Sequence, residues 1–407
     1  MKEAVFCADI GTSSLKGALI SYSGDVFSFA RIRFENKSAP MCWLDALKDA
    51  LDSLRKSASD SSLASETEKL EISAICISGN GPTIASDNFI HLWNEPNGTA
   101  EENAKYSALS GRSLFLPRLL YCMEHYQAQW NSSNTVFSGP EYLIFQLTHT
   151  AITILPEKRF ETAYWNNETL LRCGIPAEKL PPFVAPGFMA GCLTSNAAEK
   201  LDLSTKVKVY CGTPDFVAAL IGTATLKPGR LCDRAGSSEG LNLCVDKPVN
   251  HEKIRTLPSV IGNLWNASVL LPESGAKFAA FRRNSGLQDL TPAETVAMLL
   301  KDKNSEGYRL IYSIAAEIKQ SIAILEKATG FAIKSMRITG GQAHTTLWNQ
   351  FKADMLGICI ETTQMLDAEL TGDAIVALTG MGFFSSIEEG AEALVKTARV
   401  FEPQKSL

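Results

Sequence analysis

The chain has 407 residues, of which 45% are hydrophobic and 20% are charged, and its formal net charge at pH 7 is −5. A chain of this length exceeds one ordinary hydrophobic core, so the length predicts two domains of a globular protein. The negative charge argues against nucleic acid as the main partner, because proteins that bind its phosphate backbone are usually basic. No apolar run is long enough to cross a bilayer, so we expect no membrane partner.

The cysteines and the N-terminus point to one cellular environment. The first five residues lack the apolar core and the small-residue cleavage site of a signal peptide. The ten cysteines are scattered singly without a C-x-x-C pair, and the five histidines do not cluster. This usage is typical of reduced thiols rather than of disulfides or zinc sites. We therefore expect a cytoplasmic protein without a His-based metal site.

The first motif lies between two predicted strands, residues 4–8 and 15–21. Gly11 has no Cβ to block a close approach, and Thr12 and Ser13 add hydroxyl donors, so this hairpin predicts an anion site. Asp9 ends the first strand beside that site. A carboxylate next to phosphate requires a cation between them, which predicts Mg²⁺ held partly through water. An ordinary hairpin with a polar turn is the alternative.

The following elements lead to a second ligand position. Residues 26–34 have the pattern of a strand, residues 43–54 that of an amphipathic helix, and residues 57–68 that of a solvated connection. Residues 72–78 form a nearly continuous apolar run, which is typical of a buried parallel strand. The run ends at the loop 79–82, and ligands bind at the carboxyl ends of strands in open α/β sheets.

An acidic residue then follows a third apolar strand. Helices are predicted over 114–126 and 141–148, and a strand over 207–211. That strand runs through Gly212-Thr213-Pro214 into Asp215, where a helix begins. An acid at a strand-to-helix junction is either a helix N-cap or a base that projects toward a ligand.

The hairpin motif recurs in the second half of the chain. Aligning Gly11 with Gly236 places Thr12 on Ser237 and Ser13 on Ser238, with strand patterns on both sides. The recurrence is too distant for a short-period solenoid and predicts two related domains that each offer one phosphate hairpin. The shared core is only a few residues, so coincidence is the alternative.

The remaining elements complete a second α/β half. A helical face runs through 310–329 and ends at Gly330, a natural C-cap, whereas the stretch between residue 283 and residue 308 has the composition of a polar linker. A strand over 334–339 leads into Gly340-Gly341-Gln342. Two glycines between a strand and a helix allow a flat or charged ligand to approach the backbone.

Taken together, these motifs resemble the FGGY carbohydrate kinases, which include xylulokinase, gluconokinase and glycerol kinase. The resemblance is ordered, spans nearly the whole chain and rests on residues 9–13, 212–219, 228–238, 339–357 and 370–374. It implies an α/β fold of two ribonuclease-H-like domains of the actin and hexokinase type, with mixed sheets flanked by helices and the active site in the cleft between them. The expected domains are 1–224 and a shortened 225–407.

The resemblance also implies the activity, the cofactors and the site. It implies ATP-dependent phosphorylation of a hydroxyl of a small sugar or polyol, with ATP and Mg²⁺ as cofactors. The sequence leaves open whether the chain forms a homodimer. The absence of the pattern G-x-x-x-x-G-K-[ST] excludes a P-loop enzyme. The implied roles are Asp215 as catalytic base, Asp9 on the Mg²⁺ side, Gly11, Thr12, Ser13, Gly236, Ser237 and Ser238 on the phosphates, Gly340, Gly341 and Gln342 on adenosine, and Asn80, Gly81, Trp93 and Glu95 on the substrate.

The sugar side departs from the family pattern. Members often have Gln-Met-His-Gly where this chain has Asn80-Gly81-Pro82-Thr83, and Trp-x-Asp-x-Arg where it has Trp93 to Asn97. Glu95 can still accept a hydroxyl hydrogen bond, but Asn97 cannot make the bidentate contacts of an arginine. Two alternatives therefore accompany the kinase: a relative that binds sugar or nucleotide without turnover, and an actin-like ATPase.

Overall fold

The computed structural model describes residues 2–34, 42–60, 70–236 and 238–404. Ser237 of the second predicted hairpin and residues 61–68 of the predicted connection lie outside the described residues. The strands are β1 Lys2–Ile10, β2 Ser14–Ser21, β3 Val26–Arg33, β4 Leu70–Gly79, β5 Ile84–Ala85, β6 Ile90–His91, β7 Thr153–Ile154, β8 Phe183–Val184, β9 Met189–Cys192, β10 Lys208–Pro214, β11 Leu231–Ala235, β12 Glu239–Val245, β13 Arg255–Pro258, β14 Trp265–Leu271, β15 Ser335–Thr339, β16 Cys359–Thr363 and β17 Thr397–Phe401.

Helices connect and cover these strands. They are α1 Cys42–Asp60, α2 Ala100–Ser110, α3 Leu116–His125, α4 Gln127–Ser132, α5 Glu141–Thr148, α6 Asn167–Cys173, α7 Ser195–Leu201, α8 Asp215–Gly222, α9 Ser274–Asn284, α10 Pro292–Leu299, α11 Glu306–Thr329, α12 Thr346–Leu356, α13 Ala368–Gly380 and α14 Ile387–Leu394. Short 3-10 helices span Lys158–Ala163, Ala177–Lys179 and Gly341–His344. No helix of the described part of the chain combines the length and the apolar character that spanning a membrane requires.

The chain forms two compact units, which we call the first and the second unit. The first comprises Met1–Ala218 and Glu369–Gly390, and the second Ala219–Ala368 and Ala391–Leu407. Each contains a mixed sheet with helices against it, and the predicted fold class is confirmed. We expected one boundary after residue 224, whereas the chain returns to the first unit at Glu369.

Close packing of α13 explains that return. A Cβ on Gly372 would lie 2.1 Å from the carbonyl oxygen of Ala218, and a Cβ on Gly380 would lie 2.1 Å from that of Gly187. Glycine at both positions lets the helix backbone touch the backbone of the first unit. The sequence pattern of α13 carries no sign of this distant contact.

The sheet of the first unit has the strand order β3-β2-β1-β4-β10-β9. Its centre is parallel, because β4 pairs in parallel with both β1 and β10, while β2, β3 and β9 pair antiparallel. Residues 74–77 of β4 are fully buried, which confirms the predicted buried parallel strand. Helix α1 buries Leu47, Leu51 and Leu54 in the same core, as its spacing predicts.

The sheet of the second unit has the order β13-β14-β12-β11-β15-β16-β17. Here β15 pairs in parallel with β11 and β16, and the outer strands pair antiparallel. Helix α11 buries the predicted isoleucine face and ends at Gly330 with φ of 80°. The predicted polar linker is wrong over its middle, because a Thr291–Glu294 capping box starts helix α10 there.

Candidate active site

Three parallel strands of the first unit end at one edge of the sheet. Ile10 at the end of β1 and Pro214 at the end of β10 both lie beside Gly79 at the end of β4. The chain leaves these ends as the first hairpin turn, the loop from Asn80, and helix α8 from Asp215. Ligands of α/β sheets usually bind at such an edge. The fold of this unit therefore gathers its predicted metal, phosphate, sugar and base positions.

The turn between β1 and β2 leaves hydrogen-bond donors at two residues. The Gly11 amide donates to the Ser14 carbonyl oxygen at 2.9 Å and so closes the turn itself. A Cβ on residue 11 would lie 3.0 Å from that oxygen, which accounts for the glycine. Among residues 2–34 and the other described ranges, no acceptor takes the amide protons of Thr12 and Ser13. These amides are oriented by the turn and can bind an anion.

Asp9 is buried beside a lysine that our sequence analysis did not single out. Its exposed fraction is 2%, and its Oδ2 lies 3.2 Å from Nζ of Lys16, the residue opposite it in the hairpin register. Burial raises the pKa of Asp9 to about 6, Lys16 opposes the shift, and the charges of Glu369 and Asp215 add to it. The Lys16 ammonium also lies 3.7 Å from Glu369. Asp9 thus sits in a cluster of mixed charge.

The Asp9 carboxylate fits a magnesium ion held through water rather than one bound directly. One oxygen contacts Lys16, and the other lies 3.4 Å from the Ser78 hydroxyl oxygen. Within the described ranges, no three His, Cys, Asp or Glu side chains are grouped to ligate a metal. The charge of Asp215 nevertheless raises the pKa of Asp9, so two carboxylates repel each other at this edge. A hydrated divalent cation would relieve that repulsion.

A third carboxylate, Asp373, lies beneath the same edge. Its Oδ2 accepts from the Ser78 hydroxyl at 2.9 Å, and its side chain is fully buried. Burial raises the pKa of Asp373 well above its usual value, and the charge of Asp9 adds to the shift. The residue is brought there by α13, whose contact with the first unit is not visible in the sequence, so sequence analysis missed it.

Asp215 begins α8 directly after β10. The side chain is partly exposed, and its Oδ1 accepts from the amide of Phe216 at 2.6 Å. A helix N-cap would instead accept from the second or third amide of the helix. The hydrogen bond from Phe216 is distinct from the one that an N-cap accepts. The position at the ligand edge agrees with the predicted role of Asp215 as a base.

Two predicted sugar-side residues contact the first hairpin. The exposed fraction of Trp93 is 40%, and its Nε1 donates to Oγ1 of Thr12 at 2.7 Å. Nδ2 of Asn80 donates to the same oxygen at 3.3 Å. Gly81 follows in the loop, where a Cβ would lie 3.6 Å from the Phe115 ring. The structure thus joins residues that we assigned to sugar and to phosphate.

The loop that carries Trp93 is closed by its own polar groups. Oε2 of Glu95 accepts from the Leu92 amide at 2.7 Å, so this carboxylate closes a turn. Arg118 of α3 donates to the carbonyl oxygens of Leu92 at 3.1 Å and Glu95 at 3.0 Å, and it also contacts that of Trp93. A guanidinium therefore reaches the loop although Asn97 replaces the family arginine. Its hydrogen bonds go to the protein itself.

The second hairpin closes much as the first does. The Gly236 amide donates to the Ser238 carbonyl oxygen at 3.0 Å, and Ser237 between them is outside the described residues. Nε2 of Gln342 donates to the Gly236 carbonyl oxygen at 3.1 Å. The second unit therefore places the predicted adenosine motif against the predicted phosphate hairpin.

Both glycines of the adenosine motif follow the end of β15, which pairs in parallel with β11 in the second unit. Gly340 has φ of 91°, and a Cβ there would lie 3.0 Å from the Ala235 carbonyl oxygen, so only glycine fits without strain. A Cβ on Gly341 would have no neighbour within 4 Å among the described residues. The Gln342 amide is held at its other end by Nε1 of Trp348, which donates to Oε1 at 2.7 Å. The side chain of Gln342 thus supports the hairpin.

A buried ion cluster holds the two strands of the second hairpin. Nζ of Lys352 lies 2.8 Å from Oδ2 of Asp233 in β11 and also contacts Oε1 of Glu239, the first residue of β12. All three side chains have no exposed surface. The local sequence around these residues does not indicate the cluster, because their proximity depends on packing of α12 against the sheet.

Comparison with known proteins yields one family. Residues 284–381 match the profile described as the FGGY family of carbohydrate kinases, C-terminal domain. A xylulose kinase of Staphylococcus epidermidis is 25% identical over 483 aligned positions, which cover 99% of this chain and 93% of the relative. The alignment is longer than the chain, so the relative carries insertions that this chain lacks. An autoinducer-2 kinase of an Enterobacter species is 23% identical over 72% of this chain and 67% of its own length.

A solved structure shows the same fold. The crystal structure of ligand-bound xylulose kinase from Lactobacillus acidophilus superposes with a TM-score of 0.81 and covers 99% of this chain and 94% of that chain. Sequence identity in the superposition is 15%, so this likeness concerns the fold. The predicted resemblance to this family is confirmed, and the expected shortening of the C-terminal domain stays a prediction.

Proposed function

We propose that this chain is a carbohydrate kinase of the FGGY family. It transfers the γ-phosphoryl group of ATP to one hydroxyl of a small neutral sugar or polyol. The observation that carries the proposal is the shared edge of three parallel strands. It gathers a partly exposed acid, Asp215, a buried acid, Asp9, and the two available amides of the first hairpin. Phosphoryl transfer needs this combination of positioned donors and a base.

In this reaction Asp215 is the general base. It takes the proton of the acceptor hydroxyl as that oxygen forms a bond to the γ-phosphorus, while the bond from the γ-phosphorus to the β–γ bridging oxygen breaks and ADP leaves. The hydrogen bond from the Phe216 amide to Oδ1 orients the carboxylate. A base with a fixed orientation costs less reorganisation when the proton is transferred.

The phosphates bind at the two glycine-hydroxyl hairpins in this proposal. Thr12 and Ser13 offer amides in the first, and Gly236, Ser237 and Ser238 form the second, with the nucleoside near Gly340, Gly341 and Gln342. Asp9 would hold Mg²⁺ through water, and the ion would neutralise charge on the phosphate oxygens. The mixed charge around Asp9 supports an ion with its water shell.

The preference for a neutral acceptor follows from the loop around Trp93. An acidic sugar requires a cationic partner, and the guanidinium that reaches this loop, Arg118, is bound to carbonyl oxygens of the loop. The half-exposed indole of Trp93 offers an apolar face to a sugar ring or chain. The relatives named for xylulose and autoinducer-2 agree with a small polyhydroxy acceptor. The proposed location is the cytoplasm.

The test measures ADP release from Mg-ATP with xylulose, ribulose, xylitol, glycerol and gluconate as acceptors, and identifies the phosphorylated product by mass spectrometry. We expect turnover with a neutral acceptor, weaker turnover with gluconate, and loss of turnover in Asp215→Asn. Intact binding of sugar and nucleotide without product in the wild type would support a non-catalytic relative. ATP hydrolysis without an acceptor that survives Asp215→Asn would support an actin-like ATPase.

A further inference from the structure

We propose that Trp93 and Asn80 make the Thr12 hydroxyl a donor toward the phosphates of ATP, so that the loop on the sugar side supports nucleotide binding even when no sugar is present. The inference rests on the proposed kinase function. It assigns these two side chains a positioning role beyond contact with the acceptor. The argument starts from the hydrogen bonds of a single oxygen.

The Thr12 hydroxyl oxygen accepts two hydrogen bonds. One comes from Nε1 of Trp93 at 2.7 Å and the other from Nδ2 of Asn80 at 3.3 Å. A hydroxyl has two acceptor lone pairs and a single proton, so both lone pairs are used here. Within the described part of the chain, no acceptor takes that proton. The group can therefore only donate to whatever binds beside the hairpin.

The orientation of Asn80 is fixed by a second series of hydrogen bonds. The amide of Trp93 donates to Oγ1 of Thr83 at 3.2 Å, and that hydroxyl donates to Oδ1 of Asn80 at 2.8 Å. The carbonyl end of the Asn80 side chain is thus an acceptor, and its NH₂ end must face Thr12. Trp93 consequently acts on Thr12 by two routes. Its indole N–H donates directly to Thr12, and its backbone amide acts through Thr83 and Asn80.

The residues that orient Thr12 are themselves held firmly. Arg118 donates to carbonyl oxygens at positions 92 and 95, on both sides of Trp93. The amide of Asn80 donates to the carbonyl oxygen of Ile10, which joins its loop to the end of β1. A donor whose direction is set before binding loses little entropy when an anion arrives. Phosphate oxygens, which accept strongly, are the ligand class that suits it.

The test measures binding of the Mg²⁺ complex of an ATP analogue with an uncleavable β–γ link, by calorimetry, without sugar. Trp93→Phe keeps an aromatic face but removes the indole N–H, and we expect about fivefold weaker binding, as for the loss of one net hydrogen bond. Thr12→Val removes the hydroxyl, and we expect a loss of about tenfold or more. Thr12→Ser restores the hydroxyl and should bind the analogue much as the wild type does.

The double variant separates this role from simple sugar contact. If Trp93 acts through the Thr12 hydroxyl, Trp93→Phe has no further effect in the Thr12→Val background. Equal losses in both backgrounds, or analogue binding unchanged in Trp93→Phe with only the KM for sugar raised, would overturn the inference while leaving a kinase that still turns over. A wild type that binds no nucleotide would overturn the proposed function as well. Melting temperatures of the unliganded variants confirm that they are folded.

Discussion

Lys352→Met should destabilise the second unit, and the loss should grow with pH. Lys352 has two buried carboxylate neighbours, Asp233 and Glu239, and each of these has one further oxygen without a partner among the described residues. Methionine matches the length of the lysine stem but carries no charge. The variant therefore leaves two carboxylates in an environment that offers them no cation.

The magnitude and its sign follow from the charges. Breaking a buried ion pair typically costs about 3–5 kcal/mol. Burial raises the pKa of Asp233 to about 7, the charge of Glu239 adds to the shift, and Lys352 opposes it. Because the pKa in the folded state is raised, the contribution of Asp233 to stability is present below about pH 4 and is lost as pH rises through about 7. Removing Lys352 raises the pKa of Asp233 further. The decrease in stability caused by Asp233 therefore continues to a higher pH in the variant than in the wild type.

Urea denaturation followed by circular dichroism at pH 5, 6, 7 and 8 tests the argument. We expect the difference in unfolding free energy between wild type and Lys352→Met to be smallest at pH 5 and to reach a few kcal/mol at pH 8. Lys277→Met is the matched control, because that lysine is 43% exposed and lies 3.6 Å from Glu317, also at the surface. It should change stability by less than about 0.5 kcal/mol at every pH. A loss in Lys352→Met that is equal at pH 5 and pH 8 would refute the reasoning.

Three further predictions concern the first unit. Asp215→Asn should lower kcat by about 10²- to 10⁴-fold with nucleotide binding retained, which steady-state kinetics and calorimetry check. The pKa of Asp9 is about 6, and in the proposed mechanism the ionised form of Asp9 holds the metal. We therefore expect kcat/KM to rise through about pH 6, and Asp9→Asn should remove that step from the pH profile. Gly372→Ala would set a Cβ 2.1 Å from the Ala218 carbonyl oxygen. Urea denaturation should show an unfolding free energy lower by about 1–3 kcal/mol or more. Gly262→Ala is the control, because a Cβ there has nothing within 4 Å, and it should lower the unfolding free energy by less than about 1 kcal/mol.

Local patterns predicted the elements that carry the site. The apolar run 72–78, the isoleucine spacing of α11 and the glycine at position 330 each specify a structure through neighbours close in sequence, and the structure contains each of them. Helix α10, in contrast, was not predicted, although local signals for it were present. Its capping box at Thr291 and its Pro292 were present in the sequence, but the polar composition of the stretch outweighed them.

Contacts between distant parts of the chain could not be predicted in the same way. Asp373 reaches Ser78 because α13 returns to the first unit, and two glycines permit this by removing side chains from its path. Lys352 meets Asp233 because α12 packs on the second sheet. Neither partner is marked by its local sequence, since a lysine or an aspartate on a helix is usually solvated.

The pairing of Asp9 with Lys16 is neither a local pattern nor a contact between distant parts of the chain. It also affects how a magnesium ion could be held. Once Ile10 is paired with Leu15 across the first hairpin, Asp9 must lie opposite Lys16, so the register alone specifies the contact. A carboxylate that already has an ammonium at 3.2 Å needs no resident metal to be tolerated inside the first unit. The proposed magnesium ion would therefore enter together with the phosphates of ATP, and Asp9 would hold it through water.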